Sequence, residues 1–191
     1  MTPLHEVIIN KKTSTNPLWI MRQAGRYLPE FREIRKNNPN FIELCLNNEL
    51  STKITLQPIK RFNLDAAIIF SDILMLPYGL NQKVEFKKTF GPILGNLDIT
   101  STSKIDEIDF VQKIHSVYKT IKSVSSEMNL KNKNTIGFVG APWTLLVYMI
   151  NLQSPKKGLK KIFFNDNDLI KKILQIHLLI KLVPVMAVLN K

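Results

Sequence analysis

Cysteine is almost missing from this 191-residue chain: Cys45 stands alone, so no internal disulfide can form. Three histidines accompany it, and no Cys/His group has metal-ligand spacing, so no metal is expected. Long apolar runs are also lacking. The richest tract, residues 169–189, is broken by Lys171, Lys172, His177, Lys181 and Pro184, which argues against a membrane span. The opening sixteen residues, MTPLHEVIINKKTSTN, contain no apolar leader core, and a reducing cytoplasm is the expected location. Acidic residues are scarce, 15 against 27 lysines and arginines, for a formal net charge of +12. Such a balance suggests an anionic partner. The lysines lie scattered among Asn and Ile, however, and no aromatic interleaving or nucleic-acid motif accompanies them, so the charge reads as a diffuse solvated surface and nucleic acid is not expected.

Hydrophobic residues make up 45% of the chain and charged ones 22%, the balance of a globular protein with one core. Three apolar runs share one layout. Pro17 to Met21 ends at Arg22, Leu64 to Phe70 at Ser71-Asp72, and Thr135 to Val139 at Gly140-Ala141-Pro142-Trp143. Each has strand length without alternation, which predicts strands buried on both faces. Helical patterns separate them: one opening at Pro29, then Asn48 to Arg61, Ile105 to Leu130, Pro142 to Leu152 and Asp166 to Leu182. Between Leu76 and Asp98 the prolines and glycines around Lys83-Val84-Glu85-Phe86 predict an excursion, a hairpin outside the main sheet. Buried strands alternating with helices imply a parallel α/β fold, in which ligands collect at the carboxyl ends of the strands. Arg22, Asp72 and the Gly140–Trp143 turn would share that rim.

The string MRQAGRYLPEFREIR (Met21 to Arg35), with FSDIL (Phe70 to Leu74) and GFVGAPWTLLVYM (Gly137 to Met149), resembles the uroporphyrinogen decarboxylase family. The likeness runs from about Pro17 to about Tyr148. It implies a (β/α)8 TIM-barrel, here its first half only, as a single partial domain over residues 1–191 that diverges after about residue 180. It further implies a cofactor-free carboxy-lyase that removes the four acetate carboxyls of uroporphyrinogen III to give coproporphyrinogen III in haem biosynthesis, and that works as a homodimer when intact. By the same resemblance Arg22 and Arg26 bind substrate carboxylates. Gln23, Ala24 and Gly25 form the adjoining loop, Asp72 faces the pyrrole nitrogens, and Tyr148 lies beside the reacting arm.

The residue types suit that chemistry. Loss of CO2 from a pyrrole acetate proceeds through a ring-protonated iminium cation, which a fixed carboxylate with poor solvent access stabilises by about 3–4 kcal/mol. Asp72 is the candidate for that role, as an electrostatic stabiliser. The proton donor stays open among Arg22, Tyr148 and water. Arginine suits a carboxylate partner because its planar fork makes two parallel bonds. A glycine at position 25 would let the backbone approach a macrocycle.

Blander readings stand beside these. Arg22 and Arg26 could be solvated residues at a helix start, Asp72 a helix cap, and Tyr148 a core tyrosine with a satisfied hydroxyl. Pro142, Trp143 and Thr144 read as a helix start with core packing. A full barrel takes about 250 residues. The family's later hydroxyl residue and C-terminal histidine have no counterpart here, and KLVPVMAVLNK (Lys181 to Lys191) no longer follows the family pattern. The expectation is therefore a truncated form, poorly soluble or inactive alone. Two alternatives are a non-catalytic remnant or half-barrel that needs a second chain, and a corrinoid-linked methyltransferase, which the single cysteine disfavours.

Overall fold

The computed structural model describes residues 2–174 except 13, 15, 88, 155–157, 161–164, 169 and 172. Local chemistry sets most helix bounds. Helix α1 spans Pro3–Ile8. Helix α2, Pro29–Asn37, opens on proline with Glu30 in its first turn and closes with Arg35 and Lys36, so its charges oppose the macrodipole. Helices α3 (Phe41–Leu46) and α4 (Asn48–Arg61) follow, each with an asparagine cap: Asn40 Oδ1 accepts from the Ile42 amide and Asn47 Oδ1 from the Leu50 amide.

Strand β1 covers Ala66–Ile68 and runs parallel to β4, Asn134–Ile136, with Ala67 opposite Thr135. Between them come α5 (Met75–Gly79), strands β2 (Val84–Lys87) and β3 (Gly91–Leu94), then α6 (Ile99–Ser103), α7 (Glu107–Lys113) and α8 (His115–Leu130). Helix α9, Pro142–Asn151, follows β4. Strands β2 and β3 form the expected antiparallel hairpin, entered through Gly91 at φ +76°, a backbone that glycine adopts without strain. One face of the β1–β4 pair is sealed. Leu56 and Ile59 of α4 and Ile121, Val124 and Met128 of α8 pack on Leu64, Ala67 and Ile69. A second cluster joins α3, α5, the hairpin and α9 around Phe110.

Three sequence expectations need correction, the first being Thr135 to Val139, expected as a strand buried on both faces: β4 ends at Ile136, its residues are half-buried, and Phe138 and Val139 are 43% and 42% exposed. The single helix expected over Ile105 to Leu130 is two, broken at Ile114 with φ −110° and ψ 19°. Phe110 and Ile114 pack toward α5 and the hairpin, whereas Ile121, Val124 and Met128 pack on α4 and β1, and one straight helix cannot serve both directions. The run from Pro17 to Met21, expected as a strand buried on both faces, is extended chain outside any sheet. Leu18, Trp19, Ile20 and Met21 are 57%, 41%, 53% and 74% exposed. It touches β1 at one edge and, among the described residues, nothing completes its other side. The C-terminal part of Asp166 to Leu182 lies outside the described residues.

Asp65 and Gln23 hold that segment. The Asp65 amide donates to the Leu18 carbonyl (2.8 Å), while its Oδ2 accepts from the Leu18 amide (2.7 Å). Asp65 needs its side chain for the second bond, because its own carbonyl accepts from Asn134 (2.9 Å) and so continues the ladder to β4. Gln23 is 2% exposed. Its Nε2 donates to the Ala66 carbonyl (2.9 Å) and its Oε1 accepts from the Ile20 amide (3.2 Å). Replacing Gln23 by Leu leaves a buried carbonyl and an amide without partners, a loss of about 1–3 kcal/mol. Urea melts of Gln23→Leu are expected to show that loss with an unchanged slope against denaturant; a midpoint like that of the wild type would remove the clamp.

Candidate active site

Beside the clamp lies a cleft of about 670 Å³, the size of a small-molecule site. Trp19, Met21 and Phe138 wall it, Arg22, Gln23 and Ala24 come from the loop after the extended segment, and Phe70 to Ile73 come from the loop after β1. Arg22 and Asp72 therefore look into one space, at the carboxyl end of β1. Asp72 reaches it because β1 ends under control: the Phe70 amide donates to Thr55 Oγ1 of α4 (2.8 Å), and the Phe70 ring sits edge-on to Phe31 and Phe41.

The Asp72 carboxylate turns back on its own chain. Its Oδ1 accepts from the Leu74 amide (2.8 Å) and its carbonyl from the Met75 amide (3.1 Å), so it nucleates the turn into α5. Asp72 thus forms a turn ahead of α5 and does not cap it, since the N-cap position is Leu74 and has no side-chain cap bond. Oδ2 accepts nothing from another described residue. A largely apolar cavity of about 70 Å³, lined by Ile73, Tyr118 and Gly140 among others, adjoins Asp72 on the other side. Burial pushes the Asp72 carboxyl above its usual range, with the Leu74 hydrogen bond as a smaller opposing effect.

The rest of the loop is anchored away from the cleft. The Tyr27 hydroxyl donates to the Gln23 carbonyl, its ring stacks on Phe62 with centroids 6.5 Å apart, and Glu30 takes a two-pronged bond from Arg61 of α4 (3.0 and 2.8 Å). Arg32 Nη1 donates to the Arg26 carbonyl (2.8 Å). The Arg22 side chain is exposed and forms no hydrogen bond or ion pair with another described residue. Gly25 has no positive φ, and a Cβ there would meet only Tyr27 Cδ1 at 3.9 Å. The protein's own packing gives no reason for glycine at that position.

Arg22, Gln23, Ala24 and Asp72 thus line one cleft, while Gly25, Arg26 and Tyr148 stand off it. Arg26 is exposed on the loop, and Tyr148 is half-buried on α9 against the cluster around Phe110. Trp143, expected in the core, is 49% exposed. Arg35, in the last turn of α2, lies outside the cleft and donates to the Asn38 carbonyl (2.5 Å). Its guanidinium is half-buried, lies over the Phe41 ring at 5.4 Å and is pressed below its ordinary pKa by burial and then by the Arg26 charge. Among the described residues no group of three His, Cys, Asp or Glu could hold a metal, and Cys45 is a core thiol that burial pushes up.

A family model described as uroporphyrinogen decarboxylase (URO-D) matches residues 1–182. The chain belongs to the uroporphyrinogen decarboxylase family. It is 47% identical over 145 residues to the uroporphyrinogen decarboxylase of Agrobacterium fabrum, covering 75% of this chain and 42% of that protein. With the uroporphyrinogen decarboxylase of Rickettsia bellii it shares 41% identity over 168 residues, 87% of this chain and 49% of the relative. The chain spans about half the length of the curated relatives it matches. Among solved structures, a methyltransferase from Methanosarcina mazei superposes with a TM-score of 0.67 at 17% identity over 91% of this chain and 50% of the other. That likeness shows the fold alone, a partial α/β barrel. No helix among the described residues is long and apolar enough to cross a membrane.

A carboxyl with a raised pKa keeps its proton in the folded state at pH values where the unfolded chain has lost it, so its contribution to stability falls as pH rises. Asp72→Asn retains an Oδ1 acceptor for the Leu74 amide and removes the charge. It is therefore expected to melt higher than the wild type at pH 7, the gap shrinking as pH falls toward 4. Asp72→Ala, which loses the bond to the Leu74 amide too, should stand below Asp72→Asn by about 1 kcal/mol at either pH. Paired urea melts check both orders, and an Asn variant no more stable than the wild type at pH 7 would mean that the carboxylate is not desolvated.

Proposed function

We propose that this chain carries the substrate-binding and charge-stabilising part of a uroporphyrinogen decarboxylase, cofactor-free and cytoplasmic. The reading rests on one observation: Arg22, free of protein partners among the described residues, and a desolvated Asp72 line the same cleft. The substrate, uroporphyrinogen III, offers carboxylates to the arginine and pyrrole N–H groups to the aspartate. Arg26 and Arg35 extend the cationic side of the loop, and Gly25, unconstrained by internal packing, lets the macrocycle lie against the backbone.

In the reaction a pyrrole α-carbon takes a proton and the ring becomes an iminium cation. The C–C bond to the carboxylate breaks, CO2 leaves, and the bonding electrons return to the ring. The exocyclic carbon then takes a proton to become a methyl group while the ring gives up its own. Each acetate consumes one proton net. Asp72 acts on the cation: Oδ1 is fixed by the Leu74 amide, and Oδ2 is available to accept from pyrrole N–H. A carboxylate held in low dielectric interacts with a developing cation more strongly than one in water.

Because the chain spans about half of its relatives, the assay joins residues 1–180 to the remainder of the Rickettsia bellii relative and follows coproporphyrinogen formation. Asp72→Asn in that fusion is expected to lower kcat about 10²–10³-fold with KM little changed. Arg22→Ala should weaken substrate binding about 10–100-fold, as loss of a charged hydrogen-bond pair implies. A normal kcat in the Asn variant would refute the role given to Asp72.

A further inference from the structure

The chain that carries Asp72 leaves the sheet early. The Ile69 amide makes the last ladder bond, to the Ile136 carbonyl (3.0 Å), and beyond it the chain belongs to no sheet before β2. The bonds around Asp72 are local: the Leu74 and Met75 amides donate back to it, and the Leu76 amide to Ile73. Among the described residues, a single hydrogen bond to another element falls between Ile69 and that turn, from the Phe70 amide to Thr55 Oγ1 of α4 (2.8 Å). Thr55 is fully buried, and its hydroxyl proton is already committed, since Oγ1 donates to the Ser51 carbonyl one turn earlier (2.8 Å). What it offers Phe70 is therefore a lone pair. Ser51, equally buried, donates its own hydroxyl to the Leu44 carbonyl of α3 (2.8 Å). Phe31 and Phe41 hold the Phe70 ring edge-on. Ring contacts leave the peptide plane free to turn, whereas an N–H bonded to a fixed oxygen has one direction.

We infer that Thr55 is a positioning residue: its hydroxyl, locked as an acceptor by its own bond to Ser51, sets the direction in which the chain leaves β1 and so places the Asp72 carboxylate in the cleft that Arg22 shares. Thr55 itself does not line that cleft and acts through the Phe70 peptide, two residues before Asp72. A valine of nearly the same shape would fill the same space in α4, so packing alone does not call for the hydroxyl; the end of β1 does. With a methyl group in place of Oγ1 the Phe70 N–H loses its partner and must turn to find another, and the next two residues turn with it. The Ser51 hydroxyl is different in kind. Its loss frees the Leu44 carbonyl and leaves the Ser51 carbonyl, Thr55 and Phe70 as they are. The consequence for turnover rests on the function proposed above, and the placement of Asp72 does not.

Carbon-13 labels on the aspartate carboxyls of the 191-residue chain follow the titration of Asp72, the signal that Asp72→Asn removes. Arg22 shares the cleft with Asp72, Tyr118 shares the cavity on its other side and the Cys45 thiol lies near it, and none of these is altered by the variants. Thr55→Val is expected to bring the Asp72 midpoint down toward the ordinary carboxylate range as the group gains solvent. Thr55→Ser keeps both bonds and should leave it in place. Ser51→Ala is the structural control: it should lower the urea midpoint and leave the titration of Asp72 unchanged. In the decarboxylase fusion Thr55→Val should lose about 10–100-fold in kcat with KM little changed, and Thr55→Ser should restore it. A wild-type titration in Thr55→Val, or an equal movement in Ser51→Ala, overturns the proposal, as does turnover that Thr55→Val leaves intact. If Thr55→Val does not fold, Thr55→Cys, whose sulfur is a weak acceptor, is read in its place with the same outcomes. A moved titration with no turnover in the unaltered fusion leaves the placement standing and counts against the proposed function.

Discussion

Asp65 is the point at which three stretches of parallel chain are tied. Its amide and carboxylate grip both backbone groups of Leu18, and its carbonyl accepts from Asn134 at the start of β4. Gln23 repeats the device one step along, joining Ile20 to the carbonyl of Ala66. Side chains here do what a strand ladder would do elsewhere, and they fix the chain just before Arg22. The Ala66 carbonyl is buried and has no solvent alternative, so releasing Gln23 would leave it unpaired, whereas the Asp65–Leu18 bond lies at the surface. The position of the cationic loop over the cleft follows from these bonds and from Tyr27, Phe62, Glu30 and Arg61, which hold its far side.

The site itself works against the fold. Burial costs the Asp72 carboxylate solvation, and the single amide of Leu74 compensates only part of that loss. Such a group persists where a cation is to be received, since the same low dielectric that raises its energy when alone strengthens its hold on a developing charge. The bond to the Leu74 amide gives the carboxylate a fixed direction without neutralising it. Stability and reactivity therefore draw on one side chain in opposite senses.

Helix bounds were legible where a local cause sets them. Asn48–Arg61 follows from the asparagine cap and the basic last turn, and Pro29 and Pro142 mark starts because proline is suited to a first helical position. The hairpin was legible from its turn residues. The break at Ile114 was not, because both sides of it are good helix and only the divergent packing of Phe110 and Val124 separates them. Pro17–Met21 misled for a different reason: its apolar faces describe the environment of a whole barrel, and the chain carries about half of one. At the site, motif order brought out Arg22, Gln23, Ala24 and Asp72, which the cleft gathers. The burial of Arg35 escaped because a cation in the last turn of a helix already has a sufficient local explanation.

Opposite charges facing one cavity would ordinarily close on each other. Arg22 and Asp72 do not: the ion pairs among the described residues are those of Lys12, Arg61 and Lys83 with neighbouring glutamates. Asp72 Oδ1 is held by the turn into α5, and Arg22 follows a segment that Gln23 ties to the carbonyl of Ala66. A direct pair would satisfy both charges internally and leave little affinity for anything else. Unpaired with each other, the two leave a cation and an anion facing one cleft. A simple polyanion would satisfy Arg22 and be repelled by Asp72, and a simple cation would meet the reverse. On the function proposed above, that arrangement would favour a molecule with carboxylates at its rim and N–H groups at its centre.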